Sequence, residues 1–186
     1  MTDKITPLSQ TRWQDYPLHF RYTAHHYYHV EIDQTTGGYS VSFTKKPFDT
    51  PFQANSTDKL FQPWYDDIKA WGIVENEQLV AVIETAVETW SNRLRVTELW
   101  IDDAYQRQGI GRALMDIAVN RAREENRRAV ILETQTCNET AIAFYLAYGF
   151  TLVGFDACCY SNNDVKNKEV RIELGLFLDP PANDKV

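Results

Sequence analysis

Apolar and polar positions follow two different periods along the chain. From residue 19 to 46 the run Phe20-Arg-Tyr-Thr-Ala-His-His-Tyr-Tyr-His-Val-Glu-Ile32 is aromatic and β-branched, Thr35-Thr-Gly-Gly38 is rich in turn formers, and Tyr39-Ser-Val-Ser-Phe43 alternates with period two. Two strands joined by a turn are predicted. Pro47 to Pro63 mixes turn formers with phenylalanine, and its pattern assigns no element. Trp71-Gly-Ile-Val, Glu75-Asn-Glu-Gln and Leu79-Val-Ala-Val-Ile-Glu84 together read as a hairpin, and Leu94-Arg-Val-Thr-Glu-Leu-Trp-Ile101 as a further strand.

The period then changes. Between Gly109 and Asn126 the apolar residues Ile110, Leu114, Ile117, Ala118 and Ala122 share one face at 3.6 spacing, while Arg112, Asp116, Asn120 and Arg123 fall on others. Ala129 to Thr134 returns to strand. Asn138 to Tyr148 reads as a short helix packing through Ala141, Ile142, Phe144 and Tyr145, with Gly149 as its C-terminal cap. Thr151-Leu-Val-Gly-Phe155 and Glu169-Val-Arg-Ile-Glu-Leu-Gly175 are late strands. The order β-β-β-α-β-α-β-β predicts a mixed sheet covered by helices, an α/β or α+β single domain over residues 1–186, with a frayed tail at 179–186.

Composition narrows the partners. The 186 residues carry a net charge of −7, and 44% are hydrophobic. An acidic chain lacks the basic face that nucleic acid or an anionic membrane requires. No apolar stretch is long enough to cross a bilayer, and the start lacks a signal-peptide pattern. Three cysteines, Cys137, Cys158 and Cys159, make a poor disulfide framework and suit a reducing cytoplasm. His25 and His29 would lie about 13 Å apart along a strand, too far to share an ion, so no metal is expected.

The charge is uneven. Residues 93 to 128 hold eight arginines, no lysine and six acids, a net +2 inside the acidic chain. Within that stretch Gln106-Arg107-Gln108-Gly109-Ile110-Gly111-Arg112 leaves a strand and opens the amphipathic helix. A helix N-terminus offers unpaired N–H groups and the positive end of the dipole, and Gly109 and Gly111 let backbone approach an anion. Arg107 and Arg112 can add charge-assisted hydrogen bonds. A Walker loop would need a lysine after its last glycine. A dinucleotide fingerprint would need a small residue where Leu114 stands.

These residues resemble the GCN5-related N-acetyltransferase (GNAT) family, whose pyrophosphate motif Gln/Arg-x-x-Gly-x-Gly/Ala is matched by Gln106 to Gly111. Leu99, Trp100 and Ile101 match the strand whose backbone pairs with the pantetheine arm of the cofactor. Asn138, Ala141, Phe144, Tyr145, Gly149 and Phe150 match a further family signature. Asp103 stands where the family usually has proline, and Gln108 where it commonly has glycine. The resemblance covers about residues 71 to 177 and implies a mixed, mostly antiparallel central sheet flanked by helices, with acetyl-CoA as cosubstrate. A narrower resemblance, to streptothricin acetyltransferases, rests on Trp90 to Trp100, Leu132 to Asn138, and Gly154 to Tyr160.

The resemblance implies roles. Tyr145 matches the general acid, a weak acid being sufficient because a thiolate with a conjugate pKa near about 8.5 leaves readily. Phe144 is the better core candidate of the two. The base is a carboxylate on the central strands: Glu133, or Glu98 acting through water. A backbone N–H near Ile101 would polarise the thioester carbonyl, and transfer would be direct, in a ternary complex. The variable region 19–67 would face the acceptor. Its acids and others (Asp33, Asp49, Asp58, Asp66, Asp67, Glu84, Glu88 and Asp156), with many aromatics, suit a small cationic amine. The β-lysine amine of streptothricin is the expected acceptor. Another amine, or a non-catalytic acyl-CoA-binding module, is the alternative. Homodimer formation is left open.

Overall fold

The structure, a computed structural model, describes residues 2–178, so the tail from residue 179 lies outside the described residues. In chain order the strands are β1 (Thr6–Leu8), β2 (Pro17–Thr35), β3 (Gly38–Lys59), β4 (Asp66–Glu75), β5 (Gln78–Glu88), β6 (Arg93–Ile101), β7 (Ala129–Gln135), β8 (Thr151–Asp156) and β9 (Arg171–Phe177). The α-helices are α1 (Gln10–Trp13), α2 (Ile110–Glu124), α3 (Glu139–Tyr148) and α4 (Asp164–Asn167). A seven-stranded sheet has the order β1-β4-β5-β6-β7-β9-β8, and β2 pairs with β3 in a two-stranded sheet. β1–β4, β4–β5 and β5–β6 are antiparallel, and β6–β7 is parallel. This is the mixed, mostly antiparallel sheet with helices that the resemblance implies.

The chain divides into two compact units, neither continuous in sequence. One comprises residues up to Phe20, Thr57–Leu132 and from Gly175 on; the other comprises Arg21–Ser56 and Glu133–Leu174.

In the first unit, every residue of β5 from Leu79 to Val87 is buried. That explains its nearly unbroken apolar run, the mark of a strand covered on both faces. The turn from β4 into β5 is two residues long, with Asn76 and Glu77 both in the left-handed region, as a tight hairpin requires. Helix α2 buries Ile110, Leu114, Ala118 and Ala122 of the face its spacing predicts, together with Met115 and Val119, while Ile117 is half-buried at the edge of that face. Arg121, also buried, anchors the helix by donating to the Thr85 carbonyl at 3.0 Å and hydroxyl at 2.8 Å, to the Asp67 carbonyl at 2.9 Å and carboxylate at 2.7 Å, and to Glu125 at 2.8 Å.

Two stretches of the chain escape the sequence pattern. β1 is only three residues long and α1 only four, too short to show a period, yet Leu8 and Trp13 are buried with Leu18, Leu60 and Phe61 in one cluster. β3 runs on to Lys59 through Pro47 and Pro51. In a two-stranded sheet each strand keeps a free edge, where proline's missing N–H costs no ladder bond.

In the second unit, Glu139 on the first turn of α3 joins the helix to β2 and β3. Its carboxylate accepts the His25 and His26 N–H groups at 2.7 and 3.0 Å and pairs with Lys45 at 3.1 Å. Burial pushes this carboxyl up, but the two N–H groups and the Lys45 ammonium outweigh it and bring its pKa to about 2. Short α4, unmarked in the sequence pattern, lies in this unit as well.

Candidate active site

Strand β6 is irregular where chemistry is expected. It pairs with β5 as Glu84↔Glu98 and Thr85↔Val96, so Thr97 is an extra residue, a β-bulge. Its parallel ladder with β7 runs over Arg93–Arg95 against Ala129–Ile131. Beyond that ladder each residue from Thr97 to Ile101 is half-exposed. Leu99, Trp100 and Ile101 bond through one edge to β5. The Trp100 indole N–H donates to the His19 carbonyl at 2.9 Å and the half-buried ring packs on the Leu8–Trp13–Phe61 cluster.

From Ile101 the chain enters a short turn braced by its own side chains. Asp102 accepts the Ala104 N–H at 3.0 Å and Tyr105 donates to Glu75 at 2.8 Å. Gln106 reaches back to the Ile101 carbonyl at 3.2 Å and to Asp103 at 2.9 Å, and Gln108 to the Ala104 carbonyl at 3.2 Å. The two glutamines of the motif therefore shape the turn. Arg107, at φ 59°, and Gly109, at φ 80°, both take the left-handed conformation and bend the chain into α2. A Cβ at Gly109 would meet no atom within 4 Å, so the space before the helix is open. The N–H groups of Ile110, Gly111 and Arg112 begin the helix, where no intrahelical acceptor exists for them. With Arg107 and Arg112 exposed beside them, these groups fit a diphosphate.

Glu98, half-exposed, follows the bulge. Its register partner Glu84 is fully buried. Its carboxylate accepts the Phe61 N–H at 2.6 Å and the Thr97 hydroxyl at 2.8 Å, and burial raises its pKa against both. Phe61, at φ 59°, is an aromatic residue in the left-handed region, a conformation that costs roughly 1–3 kcal/mol.

The second unit holds the remaining candidates. Glu133 pairs with Arg171 at 2.8 Å, and the same guanidinium reaches Glu173 at 2.9 Å and the Cys159 sulfur at 3.5 Å. Asn138 is the N-cap of α3, its side-chain oxygen accepting the Ala141 N–H at 3.2 Å. Tyr145 is buried, with ring centroids 5.4 Å from Phe144 and 5.9 Å from Phe150. Phe144 is half-exposed, which reverses the expected core assignment: α3 turns Ile142 and Tyr145 inward.

Three acids expected on the acceptor side belong instead to the fold. Glu84 is enclosed in β5, Glu88 is bound by Arg93 at 2.6 Å and Arg95 at 2.7 Å, and Asp67 is bound by Arg121. Glu84 and Glu88 are held because a carboxylate on a covered strand requires a partner; Asp67 is exposed and serves as a partner of the buried Arg121. Arg171 is not among the residues the sequence marks for the site, and neither is the enclosed role of Glu84. A glutamate inside the apolar run Leu79 to Val87 was the available signal. His26 pairs with Glu139 and His29 with Glu31, and among the described residues no cluster of three ligands could hold a metal ion.

Residues 6–150 match the model of the acetyltransferase (GNAT) family. The chain is a GNAT acetyltransferase. This GNAT chain is 26% identical over 146 residues to streptothricin acetyltransferase A of Bacillus subtilis (strain 168), spanning 73% of the chain and 77% of that relative. It is 30% identical over 104 residues to streptothricin acetyltransferase of Streptomyces lavendulae, spanning 56% and 52%. A nourseothricin acetyltransferase structure shares the fold with a TM-score of 0.70 at 21% identity, over 95% of this chain and 99% of that one. A candidate streptothricin acetyltransferase of Bacillus anthracis str. Ames, solved with acetyl coenzyme A, gives a TM-score of 0.66 at 19% identity, over 94% and 98%. The GNAT enzyme is thus an N-acetyltransferase that uses acetyl-CoA.

Proposed function

We propose that this enzyme acetylates a small cationic amine, the β-lysine amine of streptothricin, in the cytoplasm. The observation that carries the reading is the likeness to streptothricin acetyltransferase A along about three quarters of both chains, 73% and 77%. The net charge of −7 supports a basic acceptor.

The roles are assigned residue by residue. The N–H groups opening α2, with Arg107, Gly109, Gly111 and Arg112, hold the pyrophosphate. Backbone groups of Leu99–Ile101 align the pantetheine arm, and an N–H near Ile101 polarises the thioester carbonyl. Gln106 and Gln108 keep the turn in shape, and Asn138 caps the helix that carries Tyr145. Glu98 or Glu133 takes a proton from the substrate ammonium, and the neutral amine it leaves attacks the thioester carbon. The C–N bond forms as the C–S bond breaks, and Tyr145 passes its proton to the departing thiolate.

The test is a thiol-release assay with acetyl-CoA against streptothricin and a panel containing a polyamine, an aminoglycoside and an N-terminal peptide. Streptothricin is expected to give the highest kcat/KM, with one acetyl group on the β-lysine moiety by mass spectrometry. A higher value for another amine would replace the acceptor. Comparing Glu98→Gln with Glu133→Gln identifies the base, as the variant that loses the alkaline-favoured rise of kcat.

A further inference from the structure

The carboxylate of Glu84 joins two irregular points of the first unit. One is the corner at Leu60–Phe61, where an aromatic residue is held at φ 59°. The other is Thr97, the extra residue of the β6 bulge, immediately before Glu98–Ile101. Glu84 accepts a hydrogen bond from each, through different oxygens, at 2.6 and 2.8 Å. Leu60 and Phe61 also sit in the apolar cluster on which Trp100 packs, so corner and strand meet through side chains as well. Fully buried glutamates are rare, because the charged form loses its water. Glu84 is fully buried, in a strand that is buried from Leu79 to Val87 and is apolar there apart from Glu84 and Thr85.

We propose that Glu84 is a positioning residue for acetyl transfer, locking the bulge at Thr97 and tying it to the Phe61 corner. It touches no substrate. A bulge sets which way the following side chains point, and a slip of one residue turns each to the opposite face of the sheet. Fixing the Thr97 hydroxyl therefore fixes the direction of Glu98 and of the backbone of Leu99–Ile101. The proposal rests on the reading of Glu98–Ile101 as the segment that holds the acetyl end. The pyrophosphate turn has its own braces in Asp102, Gln106 and Gln108, so it does not depend on Glu84.

The test compares Glu84→Gln, Glu84→Leu, Thr97→Val and the Glu84→Leu/Thr97→Val pair. Kinetics give kcat and KM for acetyl-CoA, calorimetry gives CoA affinity, and amide hydrogen exchange follows residues 58–64 and 94–101. In Glu84→Gln the side-chain oxygen still accepts the Phe61 N–H and the amide donates to the Thr97 oxygen, so most of kcat is recovered. Glu84→Leu is expected to lose kcat by at least about tenfold while CoA affinity stays within about threefold. Thr97→Val loses kcat as well, the pair loses no more than Glu84→Leu alone, and exchange accelerates at 94–101. Wild-type kcat in folded Glu84→Leu, losses that multiply in the pair, or unchanged protection at 94–101 would each overturn the proposal. Should Glu84→Leu not fold, Thr97→Val, which removes a single hydroxyl, decides between the same outcomes. A wild-type enzyme that released no thiol with any amine would remove the acetyl-transfer reading instead, and the exchange data would still decide the lock.

Discussion

Replacing Arg121 with leucine tests what holds α2 to the sheet. Leucine keeps an apolar stem at a position only 5% exposed, so the loss is that of the guanidinium. Its ion pair with Asp67, whose side chain is 53% exposed, is screened and worth less than about 1 kcal/mol. The larger part comes from the Thr85 carbonyl and hydroxyl and the Asp67 carbonyl, which would lose their donor. Buried acceptors left unpaired cost about 1–3 kcal/mol each, and leucine recovers some apolar contact. A net loss of about 3 kcal/mol follows, which lowers the melting temperature by roughly 6–12 °C in a chain of this length. Denaturant unfolding followed by tryptophan fluorescence and far-ultraviolet circular dichroism gives the figure. The pH dependence supplies a second check. Burial pushes Glu125 up, but Arg121, Lys69 and Arg127 bring its pKa down to about 2, below its ordinary 4.5. A depressed carboxylate stabilises the fold fully above about pH 4.5 and loses that contribution as pH falls toward 2. Without Arg121 the contribution shrinks, so the stability gap between wild type and variant narrows below pH 4.5. A loss under about 1 kcal/mol at pH 7, or a gap constant down to pH 3, would refute the anchoring role.

Gly111→Glu puts bulk and a negative charge on the first turn of α2, and calorimetry is expected to show no acetyl-CoA binding with the melting temperature nearly unchanged; retained affinity would dismiss the pyrophosphate assignment. Tyr145→Phe keeps the ring contacts with Phe144 and Phe150 and is expected to lower kcat by about tenfold to a hundredfold at unchanged acetyl-CoA affinity, and equal turnover would remove Tyr145 as the acid. Glu139→Gln removes a carboxylate whose pKa is about 2 in the fold against an ordinary 4.5, so wild type loses stability between pH 4.5 and 2 more steeply than the variant. Acid unfolding curves that superimpose would show that His25, His26 and Lys45 do not hold it.

The turn from β6 into α2 was legible because it depends on local backbone chemistry: a glycine in the left-handed region, then a helix with a one-sided apolar face. Arg107 in the left-handed region was not legible, since no arginine signals it. The β4–β5 hairpin was equally open, from Glu75-Asn-Glu-Gln. What stayed hidden depends on partners distant in sequence. Glu84 and Glu88 look like surface acids until β6 and the Phe61 corner enclose the first and Arg93 and Arg95 claim the second. Glu133 reads as a candidate base from its strand alone, but Arg171, 38 positions later by number, is what binds it. The end of β3 from Pro47 on had no pattern that assigned it an element, and a free strand edge is what admits its prolines.

The interleaving of the two units in sequence bears on the order in which the chain can fold. In the first unit β4, β5, β6 and α2 follow one another directly, and the hairpin turn is two residues long, so these contacts close quickly at small loop entropy. In the second, the Glu139 carboxylate meets the His25 N–H across 114 residues and the His26 N–H across 113. Those bonds cannot form until the intervening meander and helix have left the ribosome. During synthesis the β2–β3 ribbon therefore waits, already translated, for a helix made more than a hundred residues later. A mutation that slows the meander would thus lengthen the time for which this long ribbon of backbone hydrogen-bonding groups stands without its partner, which is a risk of aggregation rather than a loss of native stability.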